Sequence, residues 1–417
     1  MWSFVFWFAL SVSALVETSL ALAQWGWLNR IDRKVPPDLA PLLPEGYGWW
    51  RGVAYARERL RVHLGGLLTR YAGVALLVGG PGLAGAAALA QRFFPGPFAG
   101  GFALGALLAV FFSLLELPWG LYGTFGVETR FGFNRSSVLL YLRDTLLQVA
   151  LSSGLAGFLA GGASFLVTRP SGVAWALSGV AVFDVVLAFL FPNLVLPLFF
   201  RLRPLPEGPL KNRLESLFRR TGFPAAALLV ADASRRSSHG NAFFAGLGRL
   251  RRVILFDTLV DTFPEEEASA VVAHEIGHWK GRHVVNGLAL LFAVQSTFVF
   301  FALLARGTGG FSEAFGLPPG PGAFVVMVFL FWGTMTGLAL QPFLSAGSRR
   351  REFEADLYAA RLEGPDAMIG ALARLATDSL AWTPSDPWFS AWYATHPSVA
   401  DRILALKKQE VPTSPGK

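Results

Sequence analysis

The chain has 417 residues, of which 53% are hydrophobic and 15% charged. Soluble domains carry about a quarter charged residues, so this composition excludes an ordinary soluble protein. The net charge is +8, but the basic residues alternate with long apolar runs and no nucleic-acid motif accompanies them, which excludes a nucleic-acid partner. With no cysteine in the chain, disulfides, thiolate metal ligands and a cysteine nucleophile are excluded too.

A membrane span takes ~20 apolar residues of helix. Seven stretches qualify, near 1–24, 71–91, 97–118, 145–168, 172–200, 284–305 and 323–344. The first contains Ala21-Leu22-Ala23, similar to a signal-peptidase site, but no Lys or Arg precedes its apolar run. It is read as a retained span, in which Glu17 is out of place. A proline-bearing polar loop follows, then a short amphipathic helix from Trp50 to Leu67 with Arg51, Arg57, Arg59 and Arg61 on its wet face. Gly79-Gly80-Pro81-Gly82 predicts a break in the second span. Residues 124–135 read as a glycine-broken loop with one acid, Glu128.

The basic residues orient these spans. Segments 25–70, 119–144, 201–283 and 345–417 hold 8, 3, 13 and 9 Lys and Arg, and the opposite side has only Arg92, Arg169 and Arg306. This alternation predicts an outside N-terminus and a cytoplasmic C-terminus. It divides the chain into spans one to five (1–200), a cytoplasmic segment (201–283), spans six and seven (284–344) and a cytoplasmic C-terminal part (345–417).

Within 201–283, Leu210 to Arg220 has helical periodicity, and Ala226 to Ala231 and Val253 to Phe256 read as strands. Between the strands, Ser237 to Ala245 reads as a turn leading into a short strand. Such a strand suits either an ordinary hairpin or edge-on binding of a substrate backbone. Next comes Ala273-His274-Glu275-Ile276-Gly277-His278-Trp279, an H-E-x-x-H pattern behind a good acidic helix start at Pro264 to Glu267. On a helix His274 and His278 share a face and can hold one zinc ion, with Glu275 placed as general base. These letters also arise by chance, so a third ligand matters.

His283 is a poor candidate. Metzincins place their third histidine six residues after the second, His283 comes five after, and on a continued helix it would point away. The better candidate is Glu352, with Asp356 one turn on to hydrogen-bond the free nitrogen of a ligand histidine. A charged helix leaving the membrane would show the same residues. Near the C-terminus, His396 and Arg402 suit stabilisation of an oxyanion, or a surface helix start capped by Ser398.

Taken together, these motifs resemble the type I CAAX prenyl endopeptidases, integral-membrane zinc proteases that cut after a prenylated cysteine. The resemblance runs from about residue 40 to the C-terminus. It rests on Glu128 to Asn134, Pro204 to Gly208, Ser237-Ser238 with Asn241-Ala242, Leu255 to Leu259, His274 to Lys280, Glu352 to Asp356, and His396-Pro397 to Arg402. Gly240 departs from the family's small polar residue. The resemblance implies a mainly α fold of seven membrane helices enclosing a water-filled chamber, capped by a metalloprotease domain with a small β-sheet. It implies one zinc per chain on His274, His278 and Glu352, Glu275 as base, Asn241 and Ala242 on substrate backbone, and His396 and Arg402 on the transition state.

The expected function is therefore hydrolysis of peptide bonds by zinc-activated water, at a site on the cytoplasmic face of a multi-pass membrane protein. The expected partners are the bilayer and a peptide or protein substrate, lipidated substrates included. The Gly, Ala, Leu and Arg bias suggests a bacterial genome; the membrane is then the inner one, and substrates extend to membrane peptides in general. The rival readings are a heat-shock-type membrane zinc protease and a seven-span transporter or receptor without catalysis.

Overall fold

The computed structural model describes residues 1–32, 34–246 and 251–408. In chain order the helices begin with α1 (Trp2–Ile31), α2 (Trp49–Gly79), α3 (Gly82–Phe93), α4 (Pro97–Leu121) and α5 (Thr129–Phe131). Then come α6 (Val138–Val167), α7 (Gly172–Leu190) and α8 (Leu196–Phe199). Next come β1 (Leu202–Pro204), α9 (Pro209–Thr221), β2 (Ala225–Ala231), β3 (Ala242–Ala245), β4 (Arg251–Phe256), α10 (Asp257–Thr262) and α11 (Glu265–Lys280). It is followed by α12 (His283–Gly307), α13 (Pro321–Glu363), α14 (Pro365–Asp378), α15 (Pro387–Tyr393) and α16 (Val399–Lys408).

Among the described residues, seven helices are long and apolar enough to cross a bilayer, each overlapping one expected span. Their outward faces carry exposed Leu146, Val182, Val185, Phe300, Leu304 and Phe329, as lipid contact requires. Where such helices meet, small residues let the backbones approach. Gly101 and Gly105 of α4 face Ala160 and the Ala156 carbonyl of α6, and Gly157 and Gly161 of α6 face Phe102 and the Phe98 carbonyl in return. Glu17, anomalous in an apolar run, accepts hydrogen bonds from Tyr71 and Tyr393, both at 2.9 Å.

Three boundaries differ from the sequence reading. The expected amphipathic helix and the second span are one helix, α2, because nothing between Leu67 and Gly79 breaks it; Arg70 is carried along by an ion pair to Glu116 at 2.9 Å. The break comes at Gly80-Pro81, and α3 is a separate helix. The arginines of α2 are not simply a wet face: Arg51 donates to the Phe131 carbonyl at 2.6 Å, Arg57 pairs with Asp32 at 2.6 Å and Arg59 with Glu128 at 3.3 Å. Residues 124–131 are not a loop either. The α4 helix continues through a π-helical stretch, Tyr122–Glu128, into α5 and stops at Gly132, whose φ is +84°. Finally, span seven does not end at the membrane. No proline interrupts α13 between Pro342 and its end, so it runs for 43 residues and carries Glu352 and Asp356.

The small sheet has the order β1-β2-β4-β3, with β2 and β4 parallel and the outer pairs antiparallel. Its core packs Leu214 and Leu217 of α9, Val253 and Leu255 of β4, Val272 and Ile276 of α11, Leu372 of α14 and Ile403 of α16. A cavity of about 750 Å³ lies between α1, α2, α4 and α6, lined by Glu17, Arg59, Arg70, Glu116, Gln148 and His239 among others. It reaches the segment ahead of β3 but is not lined by the H-E-x-x-H histidines.

Candidate active site

Helix α11 begins at Pro264 with Glu265, Glu266 and Glu267 in its first turn, where the helix dipole favours acids. Every residue from Ala268 to His274 is buried, so the helix is gripped all round and its histidines are held rigidly. His274 and His278 share one face, with their Nε2 atoms 3.1 Å apart. Beside them α13 crosses at Gly277, where an added Cβ would lie 2.9 Å from Ala355 Cα and 3.1 Å from its carbonyl oxygen. That close approach sets Glu352 and Asp356 against the histidines. Glu352, only 4% exposed, places Oε1 3.3 Å from His278 Nε2 and Oε2 3.5 Å from His274 Nε2.

These donor atoms fit a metal ion. Bonds of ~2.0–2.1 Å in a tetrahedral site put neighbouring donors about 3.3 Å apart. The two histidine nitrogens stand at 3.1 Å, each has a Glu352 oxygen within 3.5 Å, and one donor atom from each of the three residues lies within 4.8 Å of the others. Buried histidine nitrogens and a carboxylate oxygen turned on one point form a costly cluster unless a cation joins them. The local field says the same: burial pushes the His274 imidazole down, but Asp356 and Glu352 outweigh it and carry it up to about 9.

The surrounding groups are orderly. His274 Nδ1 is 2.9 Å from Asp356 Oδ1, and Asp356 accepts from Arg402 Nε and Nη2 at 2.7 and 2.6 Å. Arg402 is 9% exposed, and its Nη1 lies 3.6 Å from Glu352 Oε2. His396, on the segment ahead of α16, puts Nδ1 2.7 Å from Glu352 Oε2 while its ring stays open to solvent. Glu275 sits between the two histidines in sequence; burial pushes its carboxyl up, and His274 and His278 pull it back in part. On the sheet, β3 is an edge strand packed against α11, with no partner strand on its outer side among the described residues. Asn241 is exposed just ahead of it; its Oδ1 accepts from the Ala242 N–H at 2.8 Å and its carbonyl from Phe256 at 2.9 Å. Ala242 is buried and pairs with Leu255.

A further cluster was invisible in the sequence. Glu128 accepts from Tyr55 at 2.7 Å and lies 3.4 Å from His239 Nε2, whose ring packs on Phe133. Asn134 forms a β-bridge with Ser237, so the end of the third span holds the segment that leads into β3. These partners are about a hundred residues apart, and no local pattern joins them.

Comparison with known proteins follows this geometry. The profile of peptidase family M48 matches residues 204–410, and that of the CAAX prenyl protease N-terminal region, five membrane helices, matches residues 28–201. CAAX prenyl protease 1 of Saccharomyces cerevisiae is 35% identical over 325 residues, covering 72% of this chain and 70% of the relative. The chain belongs to the CAAX prenyl protease family. The Homo sapiens CAAX prenyl protease 1 homolog is 30% identical over 354 residues, with 72% of each covered. The crystal structure of S. mikatae Ste24p superposes with a TM-score of 0.87 at 26% identity, covering 97% of this chain and 99% of that one. As a member of this CAAX prenyl protease family the chain is a multi-pass integral membrane metalloendopeptidase that acts on a peptide or protein substrate. Neither a transporter or receptor without catalysis nor a heat-shock-type protease accounts for both family matches.

Proposed function

We propose that the metal is zinc, one ion per chain, held by His274, His278 and Glu352. The observation that carries this reading is the convergence of one donor atom from each of His274, His278 and Glu352 within 4.8 Å, with Glu275 between the two histidines in sequence. Bound there, zinc acidifies water and polarises the scissile carbonyl. Glu275 takes the proton of the attacking water and returns it to the leaving amine; its upward shift makes it a stronger base than a free carboxylate. His396, open to solvent beside Glu352, would hydrogen-bond the carbonyl oxygen as negative charge develops on it. Arg402 gives Nε and Nη2 to Asp356, so its geometry supports a role in holding Asp356 against His274 rather than direct oxyanion contact. Asn241 and Ala242 bind substrate backbone along the open edge of β3.

The substrates proposed are membrane-associated peptides, with prenylated C-termini the preferred class because the curated relatives are named CAAX prenyl proteases. The excess of Lys and Arg in the loops on its side supports a cytoplasmic site, at the inner membrane if the source is bacterial. One experiment tests the reading. Purified parent and Glu275→Gln proteins are given a farnesylated peptide and its unprenylated twin, and zinc content is measured alongside. The parent is expected to hold one zinc and to favour the farnesylated peptide. Glu275→Gln keeps the metal and loses hydrolysis by a factor on the order of 10² or more. Near-parental turnover by Glu275→Gln removes the proposed base, and equal rates on both peptides remove prenyl preference.

A further inference from the structure

We propose that His283 and Glu354 form a positioning relay that fixes the tautomer of His278, an inference that rests on the metal site proposed above. Helix α11 does not continue into α12. It stops at Lys280, the chain turns through Gly281 and Arg282, and Arg282 takes φ +55°, a conformation that non-glycine residues seldom adopt. A new helix begins at His283, and this turn swings its ring back onto α11. The His283 ring lies so tightly over Gly281 that a Cβ there would sit 2.3 Å from His283 Nε2. In this position His283 Nδ1 is 2.8 Å from His278 Nδ1, and His283 Nε2 is 3.4 Å from Glu354 Oε2. Glu354 also accepts from Arg350 Nε at 3.2 Å. The His283 side chain is 9% exposed.

Two facing Nδ1 atoms share one hydrogen bond, so one carries the proton and the other accepts. If His278 carries it, His278 Nε2 is a free lone pair aimed at the donor atoms of Glu352 and His274. His283 then holds its own proton on Nε2, the nitrogen 3.4 Å from the Glu354 carboxylate. If His283 carries it on Nδ1, the proton of His278 moves to Nε2 and blocks the metal, while the His283 Nε2 lone pair faces the anionic Glu354. Glu354 therefore selects the first arrangement. Each ligand histidine thus answers to a carboxylate of α13: His274 to Asp356 directly, and His278 to Glu354 through the intervening imidazole.

The test uses the full chain in detergent, loaded with zinc, and measures zinc release to a competing chelator. His283→Ala is expected to release zinc 10–100-fold faster than the parent, the usual effect of losing such a support. His283→Asn, which offers an amide oxygen where Nδ1 stands, restores most of the retention. Glu354→Ala speeds release less, and in the His283→Ala background it adds nothing, because the relay is already cut. Release from His283→Ala at the parental rate overturns the relay, as does a Glu354→Ala effect that persists undiminished without His283. If His283→Ala does not fold, His283→Asn and half-exposed Glu354→Ala carry the test, and Glu354→Ala at the parental rate overturns it. Unchanged zinc retention in Glu352→Ala overturns the metal site, and the relay with it. Loss of zinc from Glu352→Ala together with parental release from His283→Ala overturns the relay alone.

Discussion

Gly277→Ala tests how the site is assembled, because Gly277 is where α11 and α13 touch. The new Cβ would stand 2.9 Å from Ala355 Cα, 3.1 Å from its carbonyl oxygen and 3.2 Å from its Cβ. Non-bonded carbons sit no closer than ~3.5 Å at comfortable contact, so the shortfall is about 0.6 Å. Two of the obstructing atoms are backbone in the middle of a 43-residue helix and cannot rotate aside. The helices must part, by roughly 0.5 Å, at a strain cost of ~1–3 kcal/mol. The metal donors lie on both sides of this seam, two on α11 and one on α13, and metal–donor distances tolerate only about ±0.2 Å. We expect Gly277→Ala to fold, to unfold at lower temperature, and to lose zinc to a chelator on the order of 10-fold faster or more. Gly287→Ala in α12 is the control, since a Cβ there meets nothing within 4 Å. Thermal unfolding and zinc release are measured on parent and both variants. If Gly277→Ala matches Gly287→Ala in both, the contact at Ala355 does not set the ligand geometry and the reasoning is wrong.

Two further predictions concern substrate and orientation. Asn241→Ala is expected to lower kcat/KM on a long peptide by about 10-fold, the worth of one lost hydrogen bond of ~1–1.5 kcal/mol, with zinc content unchanged; parental kinetics would return the segment to an ordinary hairpin. With no native cysteine, single replacements report sidedness without background. Glu313→Cys, exposed between α12 and α13, should react with an impermeant thiol reagent on intact cells, whereas Asn212→Cys on α9 should react only after the membrane is opened. External labelling at position 212 would place the site on the opposite face, away from cytoplasmic substrates.

Much of this protein is local information. Membrane spans are written in runs of apolar residues, because a helix in lipid must hide its backbone polarity and needs ~20 residues to do so. Their orientation is proposed from basic loops on the same kind of local count. His274, Glu275 and His278 fall on one helical turn by periodicity alone, and Glu352 and Asp356 are likewise one turn apart. What composition cannot express is where a helix ends under the influence of distant partners. The Glu128 segment reads as a loop because of its glycines, yet Tyr55, Arg59 and His239 hold it as helix. The arginines of α2 read as solvated, yet Asp32, Glu128 and the Phe131 carbonyl receive them.

His283 marks the division most clearly. Helical phase carries it away from the histidine face, and that argument holds for as long as the helix continues. Helix α11 ends after Lys280 at Gly281, with Arg282 in a left-handed conformation. Gly281 behind a basic last turn permits that stop, but only the fold shows that the next helix then carries the His283 ring back onto α11. In the same way periodicity put donor atoms on a face of each helix, but bringing those faces together required Gly277 to lie against Ala355, 78 positions along the chain. Periodicity is a property of one helix; a metal site is a property of the distance between two, and that distance is set by packing.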